Sequence, residues 1–386
     1  MVRYRSQAIA VLGAGHGGQA LAADLALSGH PVRLWNRTPA RLEAIMTAGG
    51  IRLTGPRRSG FARLALVTTD LSQAIRGVRL ILVATPATAH ASLARQLAPS
   101  LVDGQIIVLC PGRTLGALET IRVLRAAGLK ADVTVAECST FLFASRTVAP
   151  GQSVIHSVKK QVAVAALPVE RTPLVVELLR RLYPCFHPAA DTLETGMGNI
   201  GMLFHPAPVL CNLARVESGV VFDHYTEGIS PAVARLLEAL DAERLAVARR
   251  LRLKLPSARE WLARTYGAAG ENLHEALQHH PGYKDIRAPQ SLDTRYLWED
   301  VPCGLVPLVS LGKEYGVPTP VAESLVRLAS AITGVDFYAH GRTLTRMGLS
   351  GLTVDQLRAV ARNGELPQKH LPYVAGLPLP LSEAVQ

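Results

Sequence analysis

The stretch Ala8-Ile9-Ala10-Val11-Leu12-Gly13-Ala14-Gly15-His16-Gly17-Gly18-Gln19-Ala20-Leu21 decides the fold. The apolar run from Ala8 to Leu12 has the length and composition of a buried strand. It ends in glycines, and an amphipathic stretch from Gln19 to Ser28 follows. A second apolar run, Pro31 to Trp35, completes a strand, loop, helix and strand. In that frame the spacing G-x-G-x-x-G reads as a dinucleotide-binding loop. Gly13 permits the tight turn, Gly15 lets a pyrophosphate approach the backbone, and Gly18 lets the helix pack against the strand. His16 and Gly17 open the helix, whose free N–H groups would meet the phosphates.

Outward from this loop, short apolar runs alternate with helix-like stretches. Leu80 to Ala84 stops at Thr85-Pro86, Gln105 to Cys110 stops at Pro111-Gly112, and Val133 to Glu137 follows. Ala89 to Leu97 and Leu115 to Ala127 show helical spacing between them. Val/Ile/Leu strands separated by helices predict a parallel sheet covered on both faces, the doubly wound Rossmann arrangement. Val154 to Val158 and Gln161 to Ala166 flank Lys159-Lys160 and read as an antiparallel hairpin at the sheet edge. Thr172-Pro173 reads as an N-cap and first-turn proline for a helix to about Leu182. From about Glu194 strands are scarce, while Val233 to Leu251 and Pro320 to Ile332 show helical spacing. The expectation is an α/β chain: a Rossmann domain over residues 1–192 and an all-helical second domain over 193–386.

A chain of 386 residues suits two domains, at roughly 100–200 residues each. The net charge is +11, but the basic residues are mostly scattered arginines without a dense tract or interleaved aromatics, so no nucleic-acid partner is expected. No uninterrupted apolar stretch is long enough to span a bilayer. Met1 to Arg5 resembles the start of a signal peptide, but the apolar run after it breaks at Gly13 and Gly15. The cysteines (Cys110, Cys138, Cys185, Cys211 and Cys303) are odd in number and include no CxxC pair. A disulfide framework or metal site is therefore not expected, and a cytoplasmic location is.

The end of the second strand bears on the cofactor. NAD-preferring sites place an acid there for the ribose hydroxyls. Here the residues are Asn36-Arg37-Thr38. A guanidinium binds a 2′-phosphate through paired charged hydrogen bonds, so NADP(H) is expected over NAD(H). Arg41 would assist if a helix starts at Thr38. Thr85, Pro86, Pro111 and Gly112 stand at the carboxyl ends of strands, where the nicotinamide side of the ligand would lie.

The second half carries two dense motifs. In Glu194-Thr195-Gly196-Met197-Gly198-Asn199-Ile200-Gly201-Met202-Leu203-Phe204-His205-Pro206, a helical reading puts Gly198, Gly201, Met202 and His205 on one face. Each helical glycine costs about 1 kcal/mol relative to alanine, which implies a close approach to the backbone. A nicotinamide or substrate beside a proton-transferring His205 fits, and so does a core histidine at a tight helix–helix contact. In Leu292-Asp293-Thr294-Arg295-Tyr296-Leu297-Trp298-Glu299-Asp300-Val301-Pro302, Arg295 and Glu299 read as a surface i, i+4 pair or as a partly buried group. A buried Asp300 would orient His205 and favour its protonated form, and Arg295 would hold a substrate carboxylate or fix Asp300.

The Gly13 loop, the Pro111-Gly112-Arg113-Thr114 turn, Gly198 to Pro206, and Arg295 to Pro302 together resemble the octopine/nopaline (opine) dehydrogenase family, from about Ala8 to past Val317. The resemblance implies a Rossmann domain followed by an all-helical one. It also implies NAD(P)H-dependent reduction of the imine between an amino acid and a 2-oxo acid such as pyruvate or 2-oxoglutarate. The family's catalytic His, Arg and Asp fall on His205, Arg295 and Asp300. A homodimer is compatible, with Leu305 to Leu311 or the apolar tail from Leu371 serving an interface or the core. Rival readings are a ketopantoate reductase or glycerol-3-phosphate dehydrogenase type, and a non-catalytic NADP-binding sensor. The reductases imply a lysine early in the second domain, and none occurs between Glu194 and Val216.

Overall fold

Ile9–Leu12 and Ile106–Leu109 are apolar and buried at every position, as strands covered on both faces must be. They belong to a computed structural model that describes residues 8–280, 282–284 and 286–367. By its contacts the chain divides into two units. The first comprises Met1–Thr85, Ala89–Gly112 and Ala117–Pro188; the second takes the loops Pro86–Thr88 and Arg113–Gly116 together with Ala189–Gln386. Met1 to Arg5 and the tail from Leu371 lie outside the described residues.

In chain order the strands of the first unit are β1 (Ile9–Leu12), β2 (Val32–Trp35), β3 (Gly50–Thr54), β4 (Gly60–Arg63), β5 (Leu66–Thr68) and β6 (Leu80–Val83). Then follow β7 (Ile106–Leu109), β8 (Thr134–Cys138), β9 (Phe143–Ala149), β10 (Gln152–Val158), β11 (Val162–Leu167) and β12 (Phe186–Pro188). The main sheet runs β12-β11-β8-β7-β6-β1-β2-β5. It is parallel except where β11 turns antiparallel to β8. A smaller sheet runs β4-β3-β10-β9.

The smaller sheet corrects two sequence expectations. β10 and β11 do not form a hairpin: β10 pairs antiparallel with β9, whereas β11 leaves for the main sheet. Helix α1 (His16–Leu27) is also not simply amphipathic, being buried without a break from Gly18 to Leu25. Its residues share one core with Ile51 and Leu53 of β3 and Ile155 of β10, besides the main-sheet strands. A helix apolar all round is a buried helix. Its one acid, Asp24, is fully buried and accepts hydrogen bonds from Tyr183 and Arg58, each at 3.0 Å. The helix Thr172–Leu182 begins at Thr172 itself, so Thr172 is not its N-cap; its hydroxyl accepts from Ala166 N at 3.0 Å.

Among the described residues the regular elements of the second unit are helices, apart from one isolated antiparallel bridge between Asp223 and Arg287. Its longest helix, Pro231–Arg250, is capped by Ser230, and Pro320–Thr333 starts on a proline and ends at left-handed Gly334. Leu237, Leu240, Leu297, Leu305, Leu308 and Val326 are buried in this unit, so the stretch Leu305 to Leu311 serves the core. No helix among the described residues is long and apolar enough to cross a membrane.

Candidate active site

The nucleotide loop of the first unit is built as its glycines require. Gly13 adopts φ +111° and its N–H donates to Trp35 O at 2.8 Å. A Cβ at Gly18 would stand 1.8 Å from Gly13 O, so only glycine permits this helix-to-strand contact. Gly15 faces open space, while a Cβ at Gly17 would strike the Phe141 ring. His16 Nδ1 accepts from Thr147 N at 2.9 Å, which ties the start of α1 to β9. The first turn of α1 has no side-chain cap and no acid. Its first N–H groups have no partner within the helix, which suits an anion.

Asn36 closes the far side of the loop: Oδ1 accepts from Ala14 N at 2.9 Å and Nδ2 donates to Thr38 O at 3.1 Å. Arg37 and Thr38 are exposed just beyond β2, and a short 3-10 turn spans Pro39–Arg41. Thr85 follows β6, its methyl against Gly13. Gly112 leaves room for the buried Glu137 carboxylate, which a Cβ would meet at 2.1 Å. Pro111 is buried beside it, and Pro86 belongs to the second unit.

In the second unit, the stretch around His205 is not one helix. Thr192–Met197, capped by Asp191, stops at Gly198; Gly201–Phe204 and Pro206–Cys211 follow as separate short helices. Pro206 disfavours helical geometry in the residue before it, and His205 sits at that junction with φ −107° and ψ −62°. The glycines make room for protein. A Cβ at Gly201 would lie 2.2 Å from Arg113 Nη1 and 2.7 Å from Asp300 Oδ1. A Cβ at Gly196 would crowd Thr114 and Leu115. The close approach inferred from sequence is therefore made by the loop Arg113–Gly116.

The opposite wall comes from Arg295–Trp298, whose N-cap is Thr294, and from a wide turn over Val301–Leu305 that follows Asp300. His205 Nδ1 donates to Asp300 Oδ2 at 2.6 Å; an ionised carboxylate only accepts, so the Nδ1–H tautomer is set. The Tyr225 hydroxyl then donates to His205 Nε2 at 3.4 Å. Tyr296 stacks on the imidazole, ring centres 4.1 Å apart and planes within 10°. Burial lowers the His205 pKa and outweighs Asp300, which raises it, while Arg295 and Arg113 lower it further. Asp300 thus acts in the expected sense, favouring the protonated form, while burial sets the net direction downward.

Arg295 does not touch Asp300. It pairs with Glu299 at 3.3 Å, and its side chain remains 44 % exposed over the Tyr296 face. The cation on Asp300 is Arg113, with Nη1 at 3.1 Å from Oδ1. Arg113 Nη2 also meets Glu299 Oε2 at 3.1 Å, and Nη1 donates to Asn199 Oδ1 at 2.9 Å. Glu299 Oε1 accepts from Ala87 N at 2.9 Å. Buried Arg342 donates to Thr114 O and Ala87 O at 3.0 and 3.1 Å, which anchors both loops of this unit. Burial alone would raise the Glu299 pKa, but Arg113 and Arg295 beside it drive it below the usual carboxylate range.

Of the three residues expected to act, then, His205 and Asp300 are in contact, and Arg295 joins them only through Glu299 and Arg113. Sequence reading missed Arg113, Asn199 and Tyr225 as parts of this site, and it left Glu299 open to a surface role. Glu299 carried a signal as the acid adjacent to Asp300, and Arg113 and Asn199 did only by lying in the Pro111-Gly112-Arg113-Thr114 turn and the Gly198 to Pro206 motif. Among the described residues no cluster of His, Cys, Asp and Glu has the geometry of a metal site.

Residues 188–333 match the family model of the NAD/NADP octopine/nopaline dehydrogenase alpha-helical domain, and residues 9–167 match that of ketopantoate reductase PanE/ApbA. The chain is 40 % identical to opine dehydrogenase of Arthrobacter sp. (strain 1C) over 354 residues, covering 92 % of this chain and 98 % of that one. An octopine dehydrogenase structure with NADH and L-arginine superposes with TM-score 0.76 at 21 % identity, covering 95 % of this chain and all of that one. Yersinopine dehydrogenase with NADP+ bound gives TM-score 0.68 at 18 % identity, over 94 % and 99 % of the two chains. At these identities the two structures speak for the fold.

Proposed function

The chain belongs to the opine dehydrogenase family, and from that premise we propose that His205, Asp300 and Arg295 carry the reductive condensation of a 2-oxo acid with an amino acid. The protein is an NAD(P)-dependent oxidoreductase acting on CH–NH groups. The observation that carries the residue assignment is the buried His205–Asp300 pair at 2.6 Å, with an imidazole whose pKa burial lowers and whose Nε2 is free of the carboxylate.

The uncapped start of α1 and the open face of Gly15 fit a dinucleotide. Gly13, Gly15, His16, Gly17 and Gly18 would hold its pyrophosphate, and Asn36, Arg37 and Thr38 its adenosine ribose. Thr85, Pro86, Pro111 and Gly112 would flank the nicotinamide. With exposed Arg37 in place of an acid after β2, NADP(H) is the preferred form. When bound, the nicotinamide supplies the hydride that reduces the imine carbon.

The work of the chain's own residues is acid–base and electrostatic. Arg295, exposed and with donors beyond its bond to Glu299, pairs with the 2-oxo acid carboxylate, for which pyruvate and 2-oxoglutarate are the candidates. His205 Nε2 takes a proton from the substrate ammonium, and the amine lone pair then adds to the keto carbon. One proton passes from the added nitrogen to the oxygen to form the carbinolamine, and His205 returns the first proton to its hydroxyl, which leaves as water to give the protonated imine. Asp300 holds Nδ1–H throughout and stabilises the transient imidazolium. A cytoplasmic location is part of the same proposal, supported by five free cysteines.

The test follows NADPH consumption with pyruvate or 2-oxoglutarate, with and without a panel of amino acids. Turnover should require both organic partners. His205→Ala should lower turnover about 100-fold or more while NADPH still binds. Near-normal turnover would remove His205 from this role.

A further inference from the structure

We propose that Arg113 is a positioning residue, whose guanidinium holds Asp300 and Glu299 in one charged frame and so orients His205 on one carboxylate and Arg295 on the other. The proposal rests on the reading of His205, Asp300 and Arg295 above. Its basis is a buried chain of alternating charge. His205 bonds Asp300 at 2.6 Å, Asp300 meets Arg113 at 3.1 Å, Arg113 meets Glu299 at 3.1 Å, and Glu299 meets Arg295 at 3.3 Å. Asp300 is fully buried, and the Arg113 and Glu299 side chains are 6 % and 4 % exposed. Two carboxylates adjacent in sequence thus share a single buried cation. Without it their repulsion and burial would turn at least one of them away.

Three further features show that the site is built around this guanidinium. Arg113 holds φ +61°, a left-handed conformation that a non-glycine residue keeps only when its surroundings over-determine it. Gly201 leaves the space that Arg113 Nη1 occupies. Asn199, fully buried, spends its side-chain oxygen on the same Nη1. Glu299 and Asn199 accept hydrogen bonds from the two Nη atoms of the fork while Asp300 pairs with it by charge at 3.1 Å, an arrangement that the point charge of a lysine ammonium does not reproduce.

The frame makes a prediction that simple packing would not. The groups facing His205 are Asp300 at Nδ1, the Tyr225 hydroxyl at Nε2, stacked Tyr296, and His224 with ring centres 6.4 Å away. Arg295 and Arg113 act on it as like charges. Removing the Arg113 guanidinium releases Asp300 from Nδ1, and Asp300 raises the His205 pKa more than Arg113 lowers it, so the acid limb of the kcat/KM profile should move to lower pH.

The experiment compares Arg113→Met, Arg113→Lys and His205→Ala, measuring melting temperature, the pH profile of kcat/KM, and KM for the 2-oxo acid. Arg113→Met should lose about 100-fold in kcat/KM, the scale of a misplacement of roughly an ångström, and shift the acid limb downward. Arg113→Lys keeps the charge but not the fork, so its acid limb should stay while KM for the 2-oxo acid rises through misplaced Glu299 and Arg295. If His205→Ala is inactive but both Arg113 variants keep the wild-type limb, KM and turnover, the proposal is overturned and the catalytic reading stands. If His205→Ala remains active, the catalytic reading fails and the proposal falls with it. Should Arg113→Met not fold, a folded Arg113→Lys with wild-type KM and turnover overturns the proposal by itself.

Discussion

Gly201→Ala separates two physical arguments by the sign of its effect. Gly201 opens the short helix Gly201–Phe204 at negative φ, so alanine suits its backbone. Helix propensity alone then favours alanine by about 1 kcal/mol. The added methyl, however, would stand 2.2 Å from Arg113 Nη1 and 2.7 Å from Asp300 Oδ1, where ordinary contact begins near 3.4 Å. The guanidinium must retreat by more than an ångström, yet it is held by Asn199 at 2.9 Å and Asp300 at 3.1 Å. Breaking a buried ion pair outright costs about 3–5 kcal/mol, and overpacking costs about 1–3 kcal/mol. Partial disruption minus the propensity gain leaves a net loss of about 2–3 kcal/mol. At about 2–4 °C per kcal/mol, melting should fall by roughly 5–10 °C. Because the displaced groups hold His205, kcat/KM should fall about 100-fold as well. Thermal melting and steady-state kinetics of the purified variant decide the matter. A melting temperature equal to or above wild type with kcat/KM within about twofold would refute the close packing at Gly201, since propensity alone then accounts for the result.

Two further predictions concern the cofactor and pH. Arg37→Asp should remove the partner of a 2′-phosphate and supply one for ribose hydroxyls, shifting the NADPH:NADH ratio of kcat/KM about 10-fold or more toward NADH; an unchanged ratio would contradict the assignment of Arg37. His205 is depressed below its ordinary 6.5 by burial, and it works as a base only when neutral. Its acid limb in kcat/KM should therefore lie below pH 6.5. The folded state binds this proton less readily than the unfolded one, so the contribution of His205 to stability is complete above 6.5 and is lost as pH falls through the lowered folded value. A limb above 6.5 in the wild-type pH–rate profile would contradict this ordering.

Residues close in sequence announced themselves because their signals are local. The Gly13 loop, the strands Ile9–Leu12, Val32–Trp35, Leu80–Val83, Ile106–Leu109 and Thr134–Cys138 and the long helices at Pro231 and Pro320 follow from side-chain period and from glycine and proline punctuation within a few residues, whereas Gly50–Thr54, Gly60–Arg63 and Leu66–Thr68 are not read from it. The histidine before Pro206 and the acids after Trp298 stood out for the same reason, as compact motifs. What folding alone decided involves partners far apart along the chain. The second sheet joins residues 50–63 to 143–158, and only that pairing shows why α1 is buried on every side. Arg113 lies 86 residues from Asn199 and 186 from Glu299, so no periodicity could mark it as the cation on Asp300. Local pattern sets which elements form; which charge neutralises which acid depends on the packing that brings distant elements within 3 Å or so of each other.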